Sequence, residues 1–588
     1  MKLIRLYSKT GLISEIIFKS GLNVILGKYS TKGKDINGIG KTTIVDMIDF
    51  CLLADGPKHN YRKEKFSFLK KHTISLEVML WGEPLVLTKC FDDLNKVLVK
   101  SHQKPEVEYS DVDYRAILGK AIFDEQDYCG VAEPEWYRTI MSFFVQNDHS
   151  FFQRDSRDVI NFVNYGLRKP ELISFLFFLI GYDNRHIYEY DRLQVNQKLI
   201  QSDHNRVVKN IQTATGKGLT DFKADIDSLD AKITQFEEQA NGFQFFDINR
   251  DIGNQLEVVQ GHISTLQAQY FEIEHKLGEV KRSISFGVDI DLKRVRSLYN
   301  ELNSDFSSFI VRTLDEVQAF RAKIVQNRRR FLVERELEYS ASLEKIKQAI
   351  VGLEQNKKSL YAQLKQPRVL DDIKSAYSFL GDIKTKREQS RVLRDELDRI
   401  ELDSSTNKKQ ITDSINEIVR NKSSLDEALK EVKSIFFDVV QNSVVVEEND
   451  LPTHLLIEPR ANIKSPISID IQVPRSGSLG KDRFKILAFD LTVFLTTIRA
   501  NRLLPTFLVH DGVFHGIAHK TRIRYLNYVN TVFQGFDSAQ YIITLNEDEI
   551  SLPVDYDDGL SHLNFDLASR VIKVVEDSPQ SMLFGMEF

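Results

Sequence analysis

Short runs of alternating apolar and polar residues open the chain. Lys2–Tyr7, Ile13–Phe18 and Leu22–Leu26 are separated by glycine-containing turns and predict three β-strands. His72–Leu80 and Pro84–Phe91 alternate on either side of a Trp-Gly-Glu turn, which predicts a β-hairpin. The first part of the chain therefore reads as a strand-rich lobe.

A similar mixed pattern returns after residue 440. Two apolar stretches with helical periodicity and several short strand-like runs alternate there, which is typical of an α/β arrangement. The predicted helices are Phe484–Ile498 and His519–Phe533, and the predicted strands are Ser443–Glu447, His454–Glu458, Ser468–Val473, Pro505–Asp511 and Gln540–Leu545.

Between these lobes, from about 184 to 440, apolar residues recur at alternating spacings of three and four. This is the spacing of a coiled-coil seam, and a large helical bundle is the alternative. Breaks in the pattern occur at Ala240–Phe243, at Ser283–Ser308 and at Pro367. We expect an antiparallel coiled coil with its apex near 285–340, whose arms of about 100 residues would be about 150 Å long. The seam includes Phe222, Ile226, Leu229, Ile233, Leu256, Val259, Ile263, Leu343, Ile346, Ile350, Ile411, Ile415 and Ile418.

The pattern divides the chain into an N-terminal lobe (1–183), a helical arm (184–440) and a C-terminal lobe (441–588). Composition adds limits. The net charge of −5 over 588 residues gives no global case for nucleic-acid binding, so a DNA contact would need a local basic patch. The three cysteines lie far apart and none forms a C-x-x-C pair, which argues against disulfide and cysteine–metal sites. Because the longest apolar stretch is too short to span a bilayer, we expect a cytoplasmic protein.

Residues 37–43, Asn-Gly-Ile-Gly-Lys-Thr-Thr, lie between a predicted buried strand and a predicted helix. That order suits a phosphate-binding loop, in which backbone N–H groups surround phosphate oxygens. Lys41 would reach the outer phosphates and the Thr42 hydroxyl would ligate Mg²⁺. The loop is incomplete, because Asp35 stands where the usual pattern has its first glycine. The predicted nucleotide-binding residues here are Asn37, Gly38, Gly40, Lys41, Thr42 and Thr43.

Three further features could complete such a site. Asp511 ends an apolar strand, where a carboxylate beside a phosphate loop can hold Mg²⁺. Gln146 follows an aromatic run and could contact Mg²⁺ and an attacking water, although a structural role is the alternative. Ser478 and Gly480 belong to a Ser-Gly loop before a predicted helix, which is either an anion site or an ordinary helix cap.

The order of these elements resembles the split ATP-binding head of the structural-maintenance-of-chromosomes (SMC) proteins and their repair relatives. The resemblance implies an α/β fold, in which the N- and C-terminal lobes form one ABC-type P-loop ATPase head joined by a long antiparallel coiled coil. Within this class the chain most resembles the SMC-like ATPases of bacterial three-component defence systems such as Lamassu. The residues that suggest this subgroup are the atypical phosphate loop, Phe484–Leu491 and Phe507–Asp511.

By resemblance, Asp511 is the Walker B aspartate and Gln146 the Q-loop glutamine, both counted as catalytic and as Mg²⁺ ligands together with Thr42. Ser478 and Gly480 resemble the signature loop that reaches ATP in a second head, with Ser476-Gly477 as the alternative register. The implied cofactors are ATP and Mg²⁺.

The chain departs from the family at three positions. Gly512 replaces the catalytic glutamate, Asn546 the switch histidine, and Ala518 stands near the usual D-loop aspartate. We therefore expect an ATPase that is slow, or dependent on DNA or a partner, unless another group (His510, His515 or Glu547) substitutes.

The resemblance also implies partners: double-stranded DNA, a second copy through a head-to-head dimer, an effector nuclease subunit and a small middle subunit, with no membrane. A basic run, Asn327–Arg330 with Lys323 and Arg335, could contact DNA phosphates, or could be an ordinary solvated helix face. We expect an ATP-gated DNA sensor or clamp that controls a separate nuclease in antiviral defence. The alternatives are a DNA repair or chromosome-structure ATPase and a structural coiled-coil protein with an inactive nucleotide site.

Overall fold

The structure is a computed structural model that describes most of the chain. The chain forms two compact units. One unit includes Met1–Arg192 and Ile411–Phe588, and the other lies within Leu193–Leu292 and Asp315–Gln410. The predicted boundaries, at 183/184 and 440/441, fall inside the first unit, nine residues before its limit at Arg192 and thirty residues after its limit at Ile411. The described residues are 1–29, 38–101, 105–123, 128–147, 160–161, 169–242, 250–285, 314–363, 367–445, 452–462, 464–474, 479–550 and 562–586.

The first unit is an α/β structure. Its strands are β1 (Lys2–Tyr7), β2 (Ile16–Ile17), β3 (Gly21–Lys28), β4 (Thr73–Leu80), β5 (Glu83–Cys90), β6 (Lys96–Ser101), β7 (Val107–Ser110), β8 (Val145–Gln146), β9 (His454–Pro459), β10 (Ile467–Gln472), β11 (Phe507–His510), β12 (Gln540–Asn546) and β13 (Val571–Glu576). Its shorter helices are α1 (Lys41–Cys51), α2 (Gly56–Tyr61), α3 (Asp111–Phe123), α4 (Tyr137–Phe144) and α5 (Lys169–Ile180).

Six longer helices follow along the chain, some of them crossing from one unit to the other. They are α6 (Arg185–Thr215), α7 (Leu219–Gly242), α8 (Arg250–Ser285), α9 (Leu314–Gln363), α10 (Pro367–Arg420) and α11 (Lys422–Ser443). Two more, α12 (Leu479–Arg499) and α13 (His519–Phe533), belong to the first unit. No helix in the described part of the chain is long and apolar enough to cross a membrane.

The first unit contains a parallel sheet built from strands of both the N-terminal and the C-terminal parts of the chain. Its order is β13-β3-β12-β11-β8, so β3 from the N-terminal part lies between two strands from the C-terminal part. Seven of the eight residues of β3 are buried, because the strand is covered on both faces. The carboxyl ends of β3, β8, β11 and β12 therefore meet at one edge, where the loops that follow them lie together.

A second, antiparallel sheet has the order β2-β1-β4-β5-β6-β7. The predicted strands at Lys2–Tyr7, His72–Leu80 and Pro84–Phe91 are confirmed within one or two residues, whereas the strand predicted at Ile13–Phe18 shrinks to β2. The predicted strand at Ser443–Glu447 is wrong at its start, since Ser443 is the last residue of α11.

The second unit consists of packed helices. α7 runs antiparallel to α10, as ion pairs at both ends show: Lys223 Nζ is 3.2 Å from Glu401 Oε1, and Lys384 Nζ is 2.6 Å from Glu237 Oε1. On α7 the apolar side chains between them are those of the predicted seam, and Phe222, Ile226, Leu229 and Ile233 are all at most 6% exposed. On α10 they pack against residues that were not predicted, namely Ile383, Leu393 and Leu397.

α8 does not extend the arm, because it packs against α9 and α10 together. Lys357 Nζ donates to Gln260 Oε1 (2.6 Å), and Thr385 Oγ1 donates to Gln267 Oε1 (2.6 Å). Since Lys384 and Thr385 are neighbours in sequence, α7 and α8 lie along the same part of α10.

The helical segment thus differs from the predicted pair of continuous arms of about 100 residues. The longest described helix, α10, has 54 residues, which is about 80 Å. Pro367 begins α10, where its missing N–H is not needed. The predicted apex at 285–340 falls largely outside the described residues.

Candidate functional site

A cavity of about 600 Å³ lies at the carboxyl edge of the parallel sheet. Lys41 and Thr42 line it from α1, and Asp511 lines it from the end of β11. Polar groups dominate this edge, as expected for a site built where parallel strands end. The described lining is completed by Gly38, Ile39, Gly40, Thr43, Asp46, Asn60, Tyr61, Lys63, Lys65, Phe66, Gly512, His515, Thr544, Asn546 and Glu549.

The loop before α1 needs its two glycines. Gly38 and Gly40 have φ values of 80° and 107°, in a region that side chains with a Cβ adopt only with strain. Lys41 then begins the helix, so the N–H groups of the first turn face the loop. A Cβ on Gly27 would lie 3.0 Å from Lys41 Nζ, so the missing side chain at Gly27 leaves room for the lysine across the end of β3.

Asp511 is held by a residue that the sequence analysis did not identify. The carboxyl group is 2% exposed and accepts a hydrogen bond from Thr544 Oγ1 (2.6 Å) on the neighbouring strand β12. The same hydroxyl accepts from the Gly512 backbone N–H (3.0 Å). One threonine therefore fixes both the aspartate and the backbone that follows it.

Gln146 lies next to this cavity, but its side chain is not part of the described lining. It is 1% exposed, and its Nε2 donates to Asp490 Oδ2 (3.0 Å) on α12 and to Phe143 O (3.2 Å). The next residue, Asn147, faces the other way and donates from Nδ2 to Asp46 Oδ1 (3.1 Å). Of these two neighbouring amides, that of Asn147 contacts a lining residue, and the metal-binding role of Gln146 stays a prediction.

Two further carboxyl groups of the lining were not predicted. Asp46 lies one turn after Thr42 on α1, and burial raises its pKa to about 7, with a smaller contribution from the nearby acids Asp49 and Asp511. Burial also raises the pKa of Glu549, although the Asn546 backbone N–H (2.8 Å) and the cations of Arg522 and Lys41 oppose this shift. Little in the sequence indicates either residue. Asp46 lies four positions after Thr42, and Glu549 lies just beyond β12.

The start of α12 lies on the segment that follows Asp511. A Cβ on Gly480 would lie 2.2 Å from the Gly516 carbonyl oxygen, so only glycine allows this approach. Arg483 Nη1 donates to His515 O (2.6 Å), which adds a second contact one turn along the helix. Gly480 is not among the described lining residues of the cavity, and its predicted role toward a second head stays a prediction.

The structure therefore brings together Gly38, Gly40, Lys41, Thr42, Thr43 and Asp511 on one cavity. Gln146 lies behind it and Gly480 lies outside its described lining. Asn37 and Ser478 lie outside the described residues. Of the residues considered as substitutes for the missing glutamate, His515 lines the cavity, while His510 is buried against Tyr541 and Asp490.

The basic run on α9 is only partly described. Arg330 Nε lies 3.5 Å from Glu334, and Arg335 Nη1 lies 2.8 Å from Glu338, with all four side chains at least 43% exposed. These glutamates offset the two arginines whose side chains the structure describes, so this part of the run is not an uncompensated cationic patch.

The chain has similarity to proteins of known sequence and structure. A family model described as "Uncharacterised protein conserved in bacteria (DUF2326)" matches residues 443–588. The chain is 22% identical over 572 residues to "Uncharacterized protein YydD" of Bacillus subtilis (strain 168), with 90% of each chain covered.

Two solved structures of archaeal Smc head domains are also similar. One, from Pyrococcus yayanosii, includes a coiled coil and joint and has a TM-score of 0.35 at 13% identity, covering 99% of this chain and 96% of that chain. The other, from Pyrococcus furiosus, has an extended coiled coil bound to the C-terminal domain of ScpA. It has a TM-score of 0.35 at 11% identity, covering 100% and 94% of the two chains. With TM-scores this low, the functional argument rests on the cavity and its residues.

Proposed function

We propose that the chain binds ATP with Mg²⁺ in the cavity at the carboxyl edge of the parallel sheet. The observation that carries this proposal is the convergence of a two-glycine loop, Lys41, Thr42 and the strand-end carboxylate Asp511 on one cavity. These groups come from positions more than 460 residues apart, and a phosphate chain with a divalent cation uses all of them.

The residues present suit this ligand. Backbone N–H groups at the start of α1 and the ammonium of Lys41 would bind phosphate oxygens. Thr42 and Asp511 would hold Mg²⁺, which would neutralise charge on the phosphates. Tyr61 and Phe66 offer aromatic surface on the same lining, although both are also packed into the core.

We further propose that hydrolysis is slow or depends on a partner. Gly512 follows Asp511 and has no side chain that could orient water, and its N–H is engaged by Thr544. Asp46, His515 and Glu549 are ionisable groups of the described lining that could orient water instead. ATP would then act chiefly as a ligand that holds two heads together.

Lys41→Ala tests the proposal. Equilibrium binding of a fluorescent ATP analogue with Mg²⁺ is measured for the wild type, Lys41→Ala and a control, Lys100→Ala, which removes an exposed lysine from β6. Because a charge-assisted hydrogen bond contributes about 1.5–3 kcal/mol, we expect Lys41→Ala to weaken binding by about tenfold or more. The control should bind as the wild type does. Absence of binding by the folded wild type would refute the proposal.

For the wider role, we propose an SMC-like DNA sensor or clamp that dimerises through its heads and controls an effector nuclease in bacterial defence. Two features support this role. The phosphate loop, the helical segment and the strand-end aspartate follow one another in the order of an SMC protein, and the first unit is assembled from both ends of the chain, with the helical segment between them in sequence. The test is a pull-down of the native complex with and without double-stranded DNA, followed by ATPase assays on the same material. Recovery of a nuclease and a small third subunit would support this role. A complex with neither would contradict it.

A further inference from the structure

A second cavity, of about 310 Å³, lies at the opposite edge of the parallel sheet, where its strands begin. Gly21 is the first residue of β3, Asp537 lies three residues before β12, and Arg570 directly precedes β13. All three line this cavity, together with the last turn of α13. It shares no described lining residue with the candidate nucleotide site, so the two cavities are separate.

Asn530 is buried against this second cavity with an unsatisfied acceptor. The residue lies one turn before the end of α13 and is 4% exposed, and no described residue donates to its Oδ1. A buried amide oxygen without a donor costs free energy, and most such groups in folded proteins are hydrogen-bonded. The terminal torsion of asparagine is broad, so a rotation of the amide presents this oxygen to the cavity. A ligand with an N–H donor would satisfy it.

Two side chains of opposite charge line the same cavity. Neither Arg570 nor Asp537 has an ion-pair partner among the described residues, and Arg570 Nε is a buried donor without an acceptor there. Lys2 Nζ donates to the backbone carbonyl of Asp537 (3.3 Å) and leaves the carboxylate available. An arginine fork binds a carboxylate through two parallel hydrogen bonds, and a carboxylate binds an ammonium group. The cavity therefore offers one position for a negative group and one for a positive group.

Apolar side chains form another wall of the cavity. Leu22 is 2% exposed and Phe533 is 1% exposed. Gln534 and Asp537 are exposed, so a ligand could enter from solvent beside them. The volume is near the lower end of the range for small-molecule sites, which is about 300–1,000 Å³. The matching ligand is therefore small, carries both charges and has an apolar part.

We propose that this cavity binds a free α-amino acid with an apolar side chain. Arg570 binds its carboxylate, Asp537 binds its ammonium group, and Asn530 accepts a further N–H from that group. The apolar side chain of the ligand lies against Leu22 and Phe533. The inference does not rest on the proposed nucleotide binding, because it uses other residues at the other edge of the sheet.

The chemistry of the ligand tests the proposal on the unaltered protein. Binding of each standard L-amino acid is screened by saturation-transfer difference NMR, and those that bind are titrated by calorimetry. We expect one or more apolar amino acids to bind with a Kd of about 1 mM or below. The methyl ester lacks the carboxylate charge and the N-acetyl derivative lacks the ammonium charge. Each derivative should therefore bind at least about tenfold more weakly.

Substitutions then locate the ligand. Arg570→Ala and Asp537→Ala should each weaken binding by about tenfold or more. The control Arg206→Ala removes an exposed arginine of α6 and should bind as the wild type does. Asn530→Leu replaces the unsatisfied amide at similar volume, so it should weaken binding and yet raise the urea midpoint of the unliganded protein, followed by tryptophan fluorescence. A merely structural asparagine would not produce these opposite changes.

Failure of every standard amino acid to bind the folded wild type would overturn the inference. Equal binding of the free amino acid and both derivatives would also overturn it, as would unchanged binding by all three cavity variants. If Arg570→Ala does not fold, Arg570→Lys replaces it and should still weaken binding, because lysine keeps the charge without the two parallel hydrogen bonds. None of these outcomes bears on ATP binding, which is measured separately.

Discussion

Replacing Thr544 with valine removes one hydroxyl without a large change in volume. The hydroxyl donates to Asp511 Oδ1 at 2.6 Å and accepts from Gly512 N–H at 3.0 Å, and Thr544 is only 3% exposed. The variant therefore loses two hydrogen bonds in a place that water reaches poorly.

The size of the effect follows from the partners. A hydrogen bond to a charged group contributes about 1.5–3 kcal/mol and a neutral one about 1 kcal/mol. We expect Thr544→Val to lower the free energy of unfolding by about 2–4 kcal/mol. If the cavity binds ATP with Mg²⁺, the displaced carboxylate should also weaken that binding by about tenfold.

The chain offers a convenient assay. Trp81 and Trp136 are the two tryptophans of the sequence, and both lie in the first unit. Tryptophan fluorescence during urea unfolding therefore reports on the unit that carries the site, and not on the helical unit. An unchanged slope of free energy against urea would show that only the stability differs.

Thr544→Ser is the matched control, because it keeps the hydroxyl and removes a methyl group. It should remain within about 1 kcal/mol of the wild type. The reasoning would be refuted if Thr544→Val unfolded within about 0.5 kcal/mol of the wild type. Equal losses in the serine and valine variants would show that packing, and not hydrogen bonding, governs this position.

Three further predictions use the same fluorescence assay. Asp111→Asn should lower the free energy of unfolding by about 3–5 kcal/mol, because it removes the carboxylate that lies 2.5 Å from Lys89 Nζ and 2.6 Å from Lys58 Nζ, both buried. The control Lys96→Ala breaks a partly exposed ion pair with Glu108 and should cost at most about 1 kcal/mol. Burial raises the pKa of Asp46 to about 7 from 3.8, so ionisation destabilises the folded state as pH rises between these values. Asp46→Asn should therefore gain stability relative to the metal-free wild type from pH 5 to pH 8, and a constant difference would contradict this. Gly480→Ala should destabilise by about 1–3 kcal/mol, whereas Gly56→Ala, which has open space around its Cβ, should not.

The sequence indicated the phosphate loop and Asp511 because both depend on local order. A buried strand, two glycines, a lysine and a helix lie within about 30 residues, and an aspartate ends another buried strand. Parallel pairing of β3, β12 and β11 then brings their carboxyl ends together without further information. Thr544 could not be identified in this way, since its partner lies 33 residues away on a neighbouring strand.

The helical segment shows a different limit of prediction from sequence, namely the choice of packing partner. Heptad spacing predicts that a helix has an apolar stripe, but it does not determine which helix covers the stripe. Leu229 and Ile233 of α7 pack against Ile383 of α10, as a simple hairpin would require. Leu256 and Ile263 of α8 belong to the same kind of stripe, yet they pack against α9. A bundle and a coiled coil share this periodicity, so only the tertiary contacts distinguish them.

The segment after α4 depends both on local order along the chain and on tertiary contacts. The sequence singled out Gln146 because an amide next to the phosphate loop could meet Mg²⁺. Gln146 is the last residue of β8, and Asn147 follows directly after the strand. Pairing of β8 with β11 places Gln146 beside His510. The two side chains then bind different helices, Gln146 to Asp490 on α12 and Asn147 to Asp46 on α1. The end of β8 therefore ties both helices to the end of the sheet, and the sequence alone could not assign one amide to each helix.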